Sequence, residues 1–224
     1  ELIKTAKKTS DFWVSTSGFN LTLDNALKLK SAGLTGVSIS LDHHDPESHN
    51  AFRGYPDSFE WVKKAVANAI EAKLVVTLSV CTVRSFCTDE NLMQYANLAK
   101  KLGASFIQLI EPRAVGHYAG KDVTLYPEHE KVLEDFYLKM NNKEQFMDMP
   151  IVHYVGYKQR RTGCAGSGFR YLFVDTDGFM NSCPFCRSST THVLDGSIEE
   201  SINRMKNIGC AKFSNILETT SFSH

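Results

Sequence analysis

Two hydrophobic periods alternate along the first 140 positions of the chain. Short runs in which apolar side chains repeat every second residue, or fill the run outright, predict strands at residues 12–16, 36–41, 74–82 and 105–110. Longer stretches with helical spacing predict helices at 22–32, 58–72, 89–102 and 127–140. In the second of these, Phe59, Val62, Val66 and Ile70 fall on one face. The stop and start signals agree. Gly33 and Gly103 follow two helices, Asp89 and Glu90 open the third, and Pro127 begins the fourth. Strand followed by helix, four times over, predicts a parallel sheet with right-handed crossovers. The strand ends fall near Thr16, Leu41, Thr82 and Ile110. Ligands of such sheets bind beyond those ends, so chemistry is expected there.

The pattern changes near Met149-Pro150, which divides the sequence into parts 1–149 and 150–224. Residues 161–168 read as a Gly-rich loop. Runs 169–174 and 179–182 flank Asp177-Gly178, a hairpin signal. Residues 196–208 read as a short helix that Ser197 caps and Gly209 ends, and the tail beyond reads as loosely held.

Composition narrows the function classes. With 42% hydrophobic residues among 224, a sizeable core forms and general disorder is excluded. Lys+Arg and Asp+Glu are 25 each, which argues against nucleic acid or a membrane surface as partner. The best apolar run, residues 74–81, is far short of the ~20 residues a spanning helix needs. No secretory leader is legible, so the expected compartment is the reducing cytoplasm, where clustered cysteines read as metal ligands.

Four of the 6 cysteines, Cys164, Cys183, Cys186 and Cys210, lie in the last third. Cys183-Pro-Phe-Cys186 offers two thiolates from one tight turn. The hairpin brings Cys164, before its first strand, toward Cys183, after its second, and Cys210 follows the short helix. Four thiolates suit a zinc ion or an iron–sulfur cluster equally. Cys81 reads as a core thiol and Cys87 as a loop thiol. His43, His44, Asp45 and His49 read as a polar loop, Glu111 and Arg113 as a surface ion pair or a substrate contact, and Lys158, Arg160 and Arg161 as a solvated linker.

Cys164, thirteen residues, Gly178, four residues and Cys183 resembles the signature of radical SAM enzymes with a SPASM or twitch extension. Further stretches resemble that family in order. They are Ser15-Thr16-Ser17-Gly18, then Ser40-Leu41-Asp42, then residues 49–54 (HNAFRG) with Ser58-Phe59, and residues 112–116 (PRAVG). The resemblance implies a partial (β/α) radical-SAM-type parallel barrel of about four β-α units, and a small hairpin-and-helix Fe–S module. It implies reductive cleavage of S-adenosylmethionine to a radical that abstracts hydrogen from a peptide, protein or small-molecule substrate. It assigns Ser17, Ser40, Asp42, Thr82, Arg84 and Pro112 to S-adenosylmethionine, and the four cysteines to an auxiliary 4Fe-4S cluster. No catalytic residue is indicated. The family's C-x-x-x-C-x-x-C and GGE motifs are absent from the sequence. The chain therefore reads as a fragment of a longer enzyme, inactive alone, whose unpaired edge at residues 12–16 invites self-association. The competing reading is a non-catalytic four-cysteine zinc module on an α/β scaffold.

Overall fold

The computed structural model describes residues 2–5, 9–164, 166, 170–186 and 191–208. Five strands make one sheet in which sequence neighbours are always spatial neighbours: β1 (Trp13–Thr16), β2 (Gly36–Ser40), β3 (Val75–Cys81), β4 (Phe106–Ile110) and β5 (Ile151–Tyr154). Every pairing is parallel. This is the order of a barrel wall, and it puts all strand C-termini at one end. After a short first turn of helix, α1 (Leu2–Thr5), the crossovers carry α2 (Leu23–Ser31), α3 (Pro46–Arg53), α4 (Ser58–Glu71), α5 (Asp89–Leu102) and α6 (Pro127–Asn142).

The core lies between the sheet and its helices. Val37, Ile39, Val76, Leu78, Val80, Ile107 and Leu109 point to that face, with at most 3% of their surface exposed. Opposite them are Val62, Ala65 and Val66 of α4, Leu92, Ala96 and Ala99 of α5, and Leu133 and Phe136 of α6, all equally buried. Each such Val, Leu, Ile or Phe contributes about 1.5–3 kcal/mol by leaving water. Local signals fix the helix ends. Thr22 and Thr88 accept the N–H groups of Asn25 and Asn91 at the starts of α2 and α5. Gly103 (φ +87°) closes α5 in the left-handed conformation that glycine adopts without strain.

Three elements differ from the sequence expectation. His43, His44 and Asp45 are in a loop, but His49 is in a helix, because Asp45 accepts the Ser48 N–H at 2.8 Å and Pro46 opens α3. Residues 151–154 complete the sheet as β5, so it has five strands beside four predicted β-α units. The run is short, but Val152 and Tyr154 alternate inward. Residues 155–162 form a helix, α7 (Val155–Thr162), in place of a linker.

The described chain separates into two compact units, residues 1–114 with 121–154, and residues 115–120 with 155–224. The division therefore falls after Tyr154, four residues beyond the change of pattern at Pro150. The second unit holds α7, the antiparallel hairpin of β6 (Phe173–Val174) and β7 (Met180–Asn181), and α8 (Ile198–Ile208). The hairpin strands are shorter than expected, and Phe169 and Gly209 lie outside the described residues. No helix among the described residues is long and apolar enough to cross a membrane.

Candidate functional site

The two faces of the sheet differ in chemistry. Parallel register aligns Ser15, Ser38 and Thr77 across β1, β2 and β3, and aligns Ser40, Ser79, Gln108 and His153 across β2 to β5. A (β/α) barrel packs this interior face with branched apolar residues. Here hydroxyl, amide and imidazole groups occupy it. Ser38, Ser40 and Gln108 remain partly exposed and His153 is exposed. The row of four lies within two residues of the strand C-termini, with Cys81 and Ile110 above it.

Ser40, assigned from the sequence, stands in that row. Ser17 lies beyond β1, exposed, with its hydroxyl accepting the Phe19 N–H at 3.4 Å. Asp42 is buried, and its carboxylate is engaged by protein. Oδ1 accepts the Cys81 N–H at 3.0 Å, and Oδ2 pairs with Arg53 at 2.5 Å. The Asp42 N–H donates to His49 Nδ1 at 3.0 Å. Residues 42, 49 and 53 thus bolt α3 to the ends of β2 and β3. Burial holds the His49 pKa below its usual value. A neutral imidazole with an accepting Nδ1 is what this bond needs.

Thr82 is fully buried and donates from its N–H and its hydroxyl to the Ile110 carbonyl, joining the ends of β3 and β4. Arg84 grips Asp122 through both terminal nitrogens, donates to the Thr124 carbonyl and stacks over Tyr126 at 3.9 Å. The hydrogen bond to Asp122 raises the Arg84 pKa and lowers that of Asp122. Pro112 is buried after β4. So the structure gathers Ser40, Asp42, Thr82 and Pro112 at adjoining strand ends, while Arg84 turns to residues 122–124.

Glu111 is buried and pairs at 3.1 Å with the partly exposed Arg113, and Tyr154 donates to Glu111 at 2.8 Å. His44 bonds Asn91 at 3.0 Å, and His43 accepts the Asp45 N–H. The cysteines exchange their expected places. Cys87 is buried, donating to the Thr82 and Val83 carbonyls, and Cys81 is only half-buried. Burial pushes their thiols up to about 12 and about 11 respectively, so both stay protonated at neutral pH. Ser79, Gln108 and His153 were missed in the sequence, and their signal was a polar residue at every second position of otherwise apolar strands. A cavity beside β1, lined by Val14, Leu21, Leu29 and Val37, opens on the helix side and holds none of these groups.

In the second unit, Cys164 and Cys183 are buried and Cys186 is partly exposed. An added Cβ on Gly166 would lie 3.1 Å from the Ser182 carbonyl, so the loop after Cys164 runs against the strand leading to Cys183. Gly178 has φ +85°, and a side chain there would strike the His192 ring, two reasons for glycine at this place in the cysteine spacing. The Cys186 N–H donates to Cys183 Sγ at 3.2 Å and the Gly166 N–H to Cys164 Sγ at 3.4 Å. Backbone donors aimed at sulfur suit anionic thiolates, so the residues present fit an iron–sulfur group. Among the described residues, no three Cys, His, Asp or Glu stand as the ligands of a metal ion. Cys210, the expected fourth ligand, lies outside the described residues.

Residues 1–99 match the model of the Radical SAM superfamily. The chain is similar to the AdoMet-dependent heme synthase of Methanosarcina barkeri, 26% identical over 84% of this chain and 57% of that protein. It is also similar to the "Probable GTP 3',8-cyclase" of Methanococcus maripaludis strain C7, 35% identical over 50% of this chain and 37% of that one. Native anSMEcpe with bound AdoMet and the Kp18Cys peptide shares the fold, with a TM-score of 0.65 at 16% identity, over 88% of this chain and 59% of the other. The chain thus spans little more than half the length of these proteins at most. Residues 1–99 thus resemble the Radical SAM superfamily in sequence, and the chain shares its fold with a solved AdoMet-bound structure.

Proposed function

We propose that this chain is the C-terminal part of a radical SAM enzyme that modifies a peptide or small-molecule substrate, with an auxiliary 4Fe-4S cluster in residues 155–224. The observation that carries the reading is the open polar face at the C-terminal strand ends. S-adenosylmethionine, when bound with the enzyme's cluster, supplies the radical that removes hydrogen from substrate. The chain's own residues hold and orient. Ser17, Ser40 and Ser79 offer hydroxyls to the cofactor. Asp42, Thr82 and Arg84, committed to protein partners, fix the strand ends around it, and Pro112 lines it. Gln108 and His153 face the substrate side. Relatives named for heme and GTP chemistry, and a neighbour that binds a peptide, support both substrate classes. β1 pairs only with β2 among the described residues, and the account expects its free edge to join another segment or a second copy.

Calorimetric titration of the chain with S-adenosylmethionine tests the reading. Ser40→Val and Ser79→Val put apolar bulk on the open face and are expected to weaken binding at least tenfold without lowering the unfolding midpoint. A wild-type chain that does not bind, or variants that bind equally well, would contradict it. Structural zinc is the competing reading of the cysteines, because N–H···S bonds also suit zinc thiolates. Iron with inorganic sulfide and broad visible absorption supports the cluster. A colourless protein with one zinc supports the alternative.

A further inference from the structure

The stretch leading into Cys183 buries polar atoms that nothing among the described residues satisfies. Ser182 is 2% exposed and Asn181 1% exposed. Ser182 Oγ, Thr191 Oγ1 and Asn181 Oδ1 are out of water, with no hydrogen-bond partner among the described residues. A buried hydroxyl left unpaired costs about 1–3 kcal/mol, and here two such hydroxyls and an amide oxygen fall within eleven positions. The surroundings are otherwise well satisfied. Asp175 receives the Asp177 and Phe179 N–H groups and Asn181 Nδ2. Met180 N–H donates to the Thr191 carbonyl at 3.0 Å, and Val193 N–H to the Gly178 carbonyl at 2.8 Å, so residues 191–193 lie alongside 178–180. The Gly166 turn, whose N–H reaches Cys164 Sγ, packs on the Ser182 carbonyl. Two idle donors therefore lie in the same small region as the buried Cys164 and Cys183.

We propose that the Ser182 and Thr191 hydroxyls donate hydrogen bonds to the sulfur atoms of the group held by Cys164, Cys183 and Cys186, and so raise its reduction potential. The inference rests on the cluster reading above. A cluster gains negative charge on reduction, and donors to its sulfurs stabilise the reduced form more than the oxidised one. Hydroxyls suit the task, because they rotate to meet a sulfur without moving the backbone. Both would complete the set begun by the Gly166 and Cys186 amides.

The test is a potentiometric titration, followed by electron paramagnetic resonance, of the whole chain reconstituted anaerobically with iron and sulfide. Ser182→Ala and Thr191→Val are expected to load as much iron as wild type and to show lower midpoint potentials. Ser182→Thr, which keeps a hydroxyl, is expected to stay near the wild-type value. Iron content unchanged with potentials unmoved in both variants overturns the inference and leaves the cluster reading intact. A wild-type chain that takes zinc but no iron overturns the cluster reading, and the inference with it. If Ser182→Ala fails to load, Thr191→Val carries the same expectation alone, and an unmoved potential there overturns it.

Discussion

Leu78 and Ser79 are consecutive residues of β3, yet they belong to different molecules in chemical terms. Leu78 enters a layer sealed by helices on which no polar side chain of β2, β3 or β4 falls. Ser79, itself 8% exposed, joins on the opposite face a row of hydroxyl, amide and imidazole groups in which Ser40 and Gln108 are partly exposed and His153 is exposed. Strand alternation makes this division with a period of two residues. The comparison teaches that stability and ligand contact are carried by alternate residues of the same short strands. Substitutions one position apart should therefore fail in different ways.

The largest expected effect is on the sealed face. Leu78→Ala should cost about 2–5 kcal/mol, the range for buried Leu truncation, read as a lower urea midpoint with an unchanged slope. A loss under about 1 kcal/mol would mean that the helix layer is not the core. Next come the strand-end bolts. Arg53→Ala leaves the buried Asp42 carboxylate without its cation, and should cost about 2–3 kcal/mol. That figure is below the full cost of a broken buried pair, because Arg53 is partly exposed. Arg53→Lys should recover part of the loss, and a stability unchanged by Arg53→Ala would contradict the bolt.

A pH effect follows from His49. Burial lowers its folded pKa, so the unfolded chain takes up the proton first. Its contribution is whole above the ordinary histidine value of about 6.5 and is lost as pH falls through the folded value. Denaturation midpoints should therefore drop between pH 7 and pH 5, and His49→Gln should flatten that slope. A midpoint that rises on acidification, or a slope untouched by the substitution, would contradict the assignment. The smallest effect is on the open face. Ser79→Ala should leave stability within about 1 kcal/mol of wild type, while weakening ligand binding.

Much of this was legible in the chain. The periodicity of Phe59, Val62 and Val66, and the signals at Asp89, Glu90 and Gly103, placed α4 and α5 nearly to the residue. Short elements were harder. Ile151–Tyr154 carries only one full alternation, too little to separate a strand from a loop. α3 was hidden because its polar residues look like a site, although Asp45-Pro46 announces a helix start. Ser40 was found because a resemblance pointed to it. Gln108 and His153 were legible only as polar interruptions, whose common face required the register of four strands. The partners of Asp42 were out of reach altogether, since Arg53 and the Cys81 amide meet it only after the sheet and α3 have formed.

Amide hydrogen exchange of the chain with and without S-adenosylmethionine tests the division most directly. The account predicts slowed exchange around residues 16–18, 38–42, 79–82 and 108–112, the ends of the strands that form the open face. It predicts no change in the helix-facing segments of α4 and α6. Protection confined to the helices, to the cavity beside β1, or found nowhere would contradict it.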